Sequence, residues 1–85
     1  MEIDHEGETP IYLQLYRILR ARIDSGELQV GRPIPSEQSL VQQYGIARMT
    51  ARKAVGMLRD EGRVKFVVGR GTFVQPPPPP PAAES

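Results

Sequence analysis

PSEQSLVQQYGIARMTARKAVGMLRDEG, from Pro35 to Gly62, reads as two helices joined by a tight turn. Ser36 is a good N-cap for the first, with Glu37 in the first turn facing the positive end of the helix dipole. Leu40 and Val41 anchor it, and the turn follows at Tyr44-Gly45-Ile46, where Gly45 supplies the freedom a sharp bend needs. The second helix runs from about Ala47 to Glu61 and stops at Gly62. Its inner face is Ala51, Ala54, Val55 and Leu58, at helical spacing. Arg48, Arg52 and Arg59 lie close to one line on another side. A solvated surface helix also looks like this. A basic second helix after a Gly-containing turn is equally the pattern of a DNA-reading helix-turn-helix.

The residues that follow favour the second reading. Val64–Val68 and Thr72–Val74 read as short strands, joined by a turn at Gly69-Arg70-Gly71. A basic hairpin directly after a basic helix is a wing. The expected fold class is therefore α+β: a small winged helix-turn-helix of three helices and a β-hairpin.

Upstream, Thr9 is expected as the N-cap of a first helix with Pro10 at its first position. Tyr12, Leu15, Tyr16, Leu19 and Ile23 recur at helical spacing as a core stripe, widened by Ile11 and Ile18. Arg17, Arg20 and Arg22 lie off it, with DNA backbone as a candidate partner. Ser25-Gly26 ends this helix, and Val30-Gly31-Arg32-Pro33 has turn chemistry.

At 85 residues the chain is long enough for one small domain. It contains no cysteine, which excludes a disulfide framework and a thiolate zinc site. No apolar run approaches membrane-spanning length and no signal peptide is visible, so a cytoplasmic, nucleoid-associated protein is expected. No nucleophile–base pair, metal cluster or Gly-rich phosphate loop points to an enzyme or to a cofactor.

The formal net charge of +1 hides an asymmetry. Glu2, Asp4, Glu6, Glu8 and Glu84 lie outside residues 9–75, whereas all 11 Lys and Arg lie inside, so that stretch carries +6. Such a surplus is the footprint of a phosphate-binding surface. Three segments follow: an acidic, flexible N-terminus over 1–8, a DNA-binding domain over 9–75, and a proline-rich tail over 76–85. The six prolines Pro76–Pro81 are expected as polyproline II, either a stiff linker or solubilising tail or a ligand for an aromatic groove.

Several pieces of the chain, in order and spacing, resemble the winged-helix domain of the GntR family of bacterial transcription regulators, and most its HutC-type branch. They are Pro10-Ile11-Tyr12, Ser25-Gly26-Glu27-Leu28, Pro35-Ser36-Glu37, Arg48-Met49-Thr50-Ala51-Arg52, Glu61-Gly62 and Gly69-Arg70-Gly71-Thr72-Phe73-Val74. The resemblance implies a sequence-specific regulator of transcription, a repressor by expectation. Its partner would be double-stranded DNA with an inverted-repeat operator of GT and AC steps, read by chains paired on the DNA.

Carried over residue by residue, Arg48 and Arg52 contact bases and Thr50 a phosphate. Gly69, Arg70 and Gly71 set the wing at the minor groove or its phosphates. Arg32, Ser36, Gln38, Ala47 and Met49 complete the expected DNA-binding set, and no small-molecule effector site is expected in this chain.

The sequence departs from the family at Gln38, where many members have an arginine, and at Ala47, where Ser or Thr is usual. Gly56 lies inside the second helix, where glycine costs about 1 kcal/mol relative to alanine. Members of this branch continue into a ligand-sensing, dimerising domain, in place of which this sequence has the proline tail. Three readings stay open: a self-contained minimal regulator, a small interaction protein that modulates another regulator, and a DNA-binding fragment of a larger one.

Overall fold

The structure is a computed structural model that describes residues 2–77; the polyproline expectation for Pro76–Pro81 falls, from residue 78 on, outside the described residues. Three helices, α1 (Ile11–Asp24), α2 (Glu37–Tyr44) and α3 (Arg48–Asp60), precede an antiparallel hairpin of β1 (Val64–Val67) and β2 (Gly71–Val74).

The apolar stripes read from the sequence meet in one core. Leu15, Tyr16 and Leu19 of α1 pack with Leu40 of α2, with Ala51, Ala54 and Leu58 of α3, and with Val64 and Val74 of the hairpin. The two alanines matter for geometry: side chains this small let α3 lie close against α1. Tyr12, on the edge of the α1 stripe, instead offers its ring face to Lys53, whose Nζ lies 4.0 Å from the centroid.

Helix ends follow local chemistry. Ser36 caps α2, its hydroxyl accepting from the Ser39 N–H at 3.1 Å. Gly45 ends α2 in the left-handed region (φ 64°) and donates to Val41 O at 2.9 Å, which turns the chain into α3. Ala47 stands at the α3 N-cap with extended backbone (φ −75°, ψ 151°) and no side-chain cap bond.

The start of α1 differs from expectation. Pro10, not Thr9, is the N-cap; its carbonyl accepts from Leu13 and Gln14, both at 3.1 Å, so the helix begins one residue later. The Thr9 carbonyl is taken by the Gln14 side-chain amide at 2.8 Å. That amide also holds Asp4, accepting its N–H at 2.7 Å and donating to its carbonyl at 2.8 Å. With Ile3 packed against the core, the acidic segment expected to be flexible is tied to α1.

Val67 pairs with Gly71, leaving Val68, Gly69 and Arg70 as the hairpin turn. Gly69 (φ 77°) and Gly71 (φ 119°) occupy backbone regions that favour glycine. The connector before α2 joins this sheet: Ile34 N–H donates to Thr72 O at 2.8 Å, Val74 N–H to Arg32 O and Gly31 N–H to Val74 O, each at 2.9 Å. The wing is thus pinned along its β2 edge.

Polar contacts close the back of the domain. The Tyr16 hydroxyl donates to Glu61 Oε2 just past α3 and accepts from Arg20 Nη1 at 3.0 Å. Arg63 pairs with Asp24 at the end of α1.

Two stability outcomes follow. Ala47→Ser supplies the missing cap acceptor, worth about 1 kcal/mol, which raises the melting temperature by about 4–8 °C in a domain of this size. Unchanged or lower stability in thermal melts would refute the cap assignment. The second outcome is alkaline. The hydrogen bond to Glu61, then burial, raises the Tyr16 pKa above its ordinary value. The unfolded chain therefore loses this proton first, and stability declines as pH rises from about 10 through the folded-state value. Melts of wild type and Tyr16→Phe across that window check it; an equally steep decline in the variant would remove Tyr16 as the cause.

Candidate nucleic-acid interface

Packing fixes how α3 is rotated. With Ala51, Ala54 and Leu58 buried, Arg48, Arg52 and Arg59 are left on the exposed side. The wing stands beside that side, and between them lies a groove of about 610 Å3. Its α3 wall is Arg48, Arg52, Val55, Gly56 and Arg59. Opposite stand Phe66, Arg70, Gly71 and Thr72 of the hairpin. The start of α2 closes one end with Ser36, Glu37 and Gln38, continuing from Pro33–Pro35. Four arginines share this lining with a single carboxylate, Glu37.

That carboxylate is engaged by Arg52. The Arg52 Nε donates to Glu37 Oε2 at 3.0 Å and Nη2 donates to Oε1 at 3.1 Å, a two-pronged pairing. The hydrogen bonds from Arg52 hold the Glu37 pKa below the usual carboxylate range; partial burial opposes them, and the positive charges of Arg52 and Arg48 add to the lowering. The same pairing raises the pKa of Arg52. A guanidinium has five N–H donors, and this arrangement uses only two. Nη1 and the second Nη2 hydrogen are left over by Glu37 and point away together, the fork that matches guanine O6 and N7, with Met49 Sδ, a weak acceptor, 4.0 Å from Nη1.

Of the residues predicted from sequence, the groove brings together Ser36, Gln38, Arg48, Arg52, Arg70 and Gly71. Ala47, Met49 and Gly69 are exposed nearby but outside its lining, and Thr50 is half-buried on another side of α3. Arg32 is exposed and contributes backbone bonds to the sheet edge. The α1 arginines divide. Arg22 is bound to Glu27 (2.8 Å) and Tyr44 (3.3 Å), and Arg20 to Tyr16, so both serve the fold; Arg17 is exposed.

Sequence reasoning missed Glu37 as the holder of Arg52, because the partners lie 15 positions apart. It also missed Phe66, an exposed aromatic in the groove. Strand alternation carried the signal: Val64 points into the core, so Phe66 two residues on shares its face and extends beyond it.

Three helices, a bonded wing and an arginine-lined groove between reading helix and wing define a winged helix-turn-helix domain. The chain belongs to the family described as bacterial regulatory proteins, gntR family, whose model matches residues 11–74. It is 45% identical over 74 residues to the HTH-type transcriptional repressor NagR of Bacillus subtilis (strain 168), covering 87% of this chain and 30% of that protein. Among solved structures it is similar to the AraR DNA-binding domain in complex with operator ORX1. There the TM-score is 0.80 at 35% identity, over 87% of this chain and 95% of that one. It is likewise similar to YtrA from Sulfolobus acidocaldarius, a GntR-family transcription factor, with TM-score 0.79 at 36% identity over 88% and 79%.

Glu37 gives an acid-side test. Its folded-state pKa is lowered, so its contribution to stability is present above the ordinary glutamate value of about 4.3 and is lost as pH falls through the lowered one. Melts between neutral pH and pH ~3 should show a smaller loss in Glu37→Gln than in wild type. Equal losses would show that Arg52 does not hold this carboxylate.

Proposed function

We propose that residues 9–75 form a sequence-specific binding domain for double-stranded DNA that regulates transcription, acting as a repressor and catalysing no reaction. One observation carries the reading: four arginines line the groove between α3 and the wing, and the only acid there is already paired with one of them. Such a groove suits phosphates on both sides of a reading helix.

In this reading α3 enters the major groove. Arg48 and Arg52 contact bases, Arg52 through the fork that Glu37 leaves free. Gln38, Thr50, the hydroxyl of Ser36 and the backbone at Ala47 hold phosphates. Gly69, Arg70 and Gly71 bring the wing to the minor groove, and Arg32 adds a backbone contact from the sheet edge. An inverted repeat with half-sites one helical turn apart would seat two chains. The similarity to the AraR DNA-binding domain in complex with an operator supports this use of the fold. The quoted sequence motifs support placement in the HutC-type branch. A cytoplasmic, nucleoid-associated location fits a protein that works on bacterial DNA.

The chain spans 30% of the length of the Bacillus subtilis relative. That share favours a second reading, in which the domain is the reading head of a larger regulator or modulates one. Mobility shifts test the modulator form, since a self-contained regulator retards an inverted-repeat duplex unaided whereas a modulator requires its partner; the coding sequence directly after the Ser85 codon, a stop or an open frame, tests the reading-head form.

Binding should weaken steeply with salt, each neutralised phosphate adding about −0.9 to the log–log slope. Duplexes recovered by selection from a randomised pool serve as probes. Arg48→Ala should cost about 1–3 kcal/mol and relax preference at one half-site position. Arg70→Ala should weaken selected and random duplexes alike. A flat salt dependence would end the DNA reading; a loss of base preference confined to Arg70→Ala would reverse the roles of helix and wing.

A further inference from the structure

Met49 is the residue on α3 that packing leaves unexplained. It is 67% exposed, in the first turn of the helix, while Ala51, Ala54 and Leu58 of the inner stripe are buried. On a 3.6-residue helix, positions 49, 52 and 56 fall on one face, opposite Ala51, Ala54 and Leu58. Met49 therefore stands on the outermost line of the helix beside Arg52. Its Sδ lies 4.0 Å from Arg52 Nη1, on the side of the guanidinium that Glu37 does not use. The neighbouring Gly56 carries no side chain, so nothing else on that line rises past the thioether.

We propose that Met49 is a specificity-determining residue that reads the C5 methyl group of a thymine stacked next to the guanine held by Arg52. The inference rests on the DNA-binding reading above and adds a base identity to it. Arg52 is fixed in orientation by Glu37, so its free fork defines where a guanine edge sits. The sulphur lies against the Nη1 edge of that fork, 4.0 Å from it, and is exposed beside it on the outer line of the helix. Met49 thus faces the pair beside the guanine. A thioether on an unbranched chain has no strong donor or acceptor to offer a base edge. What it can recognise in the major groove is the one apolar group there, the thymine methyl. Covering that methyl removes apolar surface of both partners from water.

The test uses the full 85-residue chain and duplexes selected from a randomised pool by the wild type. In the recovered duplex each thymine is replaced in turn by deoxyuridine, which lacks only the methyl group. At one thymine per half-site the swap should weaken the wild type about fourfold, the equivalent of about 0.8 kcal/mol for a group of this size. Met49→Ala should bind thymine and deoxyuridine versions equally, and Met49→Leu should restore the difference. Because the side chain is exposed, melts of all three proteins should coincide, which separates recognition from folding. Selection with Met49→Gln should recover duplexes in which that thymine is no longer preferred.

If no deoxyuridine swap affects the wild type, or if Met49→Ala shows the same loss, the assignment to Met49 is overturned while DNA binding stands. If the wild type enriches no duplex, the DNA-binding reading fails and takes this assignment with it.

Discussion

The rotation of α3 about its own axis is the constraint on which the reading surface depends. Ala51, Ala54 and Leu58 are each fully buried, and nothing larger than a methyl group at two of these positions separates α3 from its neighbours. A helix held this closely cannot roll without opening a cavity or driving a polar side chain into the core, each costing a few kcal/mol. The arginines need no contacts of their own to face outward. They do so because the opposite stripe is apolar. Core formation and the display of Arg48, Arg52 and Arg59 are one event.

The wing depends on a second device, made of backbone instead of side chains. A two-stranded hairpin alone is marginal in water. Here Val64 and Val74 reach into the core, and Gly31, Arg32 and Ile34 bond to the β2 edge. These bonds also place Pro35-Ser36 beside the wing, so the start of α2, the wing and α3 converge on one groove. The helix-turn-helix and the wing are distinct in sequence, but the connector between α1 and α2 joins them.

Much of this was legible residue by residue. Ser36 and Gly45 announce the ends of α2 through chemistry that acts over three or four positions. The strand-forming run from Val64 and the glycines at 69 and 71 announce the hairpin in the same way, although the turn is Val68–Arg70, one residue earlier than expected, because Gly71 pairs with Val67. Local signals failed where a distant group competed. Thr9 looked like a cap, but the Gln14 amide claims its carbonyl and the helix starts after Pro10. The N-terminal segment looked unattached, but Gln14 holds the backbone of Asp4 and Ile3 packs against the core. Arg20 and Arg22 resembled phosphate binders, yet Tyr16, Glu27 and Tyr44 occupy them. For the site, the line of arginines was readable as charge on one helix face. The Glu37–Arg52 pairing was not, because it exists only once α2 and α3 are folded together.

A carboxylate in a groove lined by four arginines needs a physical reason. On charge alone Glu37 opposes binding, since it cancels one arginine and adds repulsion. What it provides is order. An unpaired arginine on a helix surface samples many rotamers, and fixing it on contact costs roughly 1–2 kcal/mol of side-chain entropy. Glu37 meets that cost within the folded protein. It grips the Nε edge, so the remaining N–H groups are held in one orientation. The pair is partly exposed, so its own contribution to stability is small. Its consequence is geometric: Arg48, Arg59 and Arg70 keep their full positive charge in the groove, while the guanidinium of Arg52 is held in one orientation.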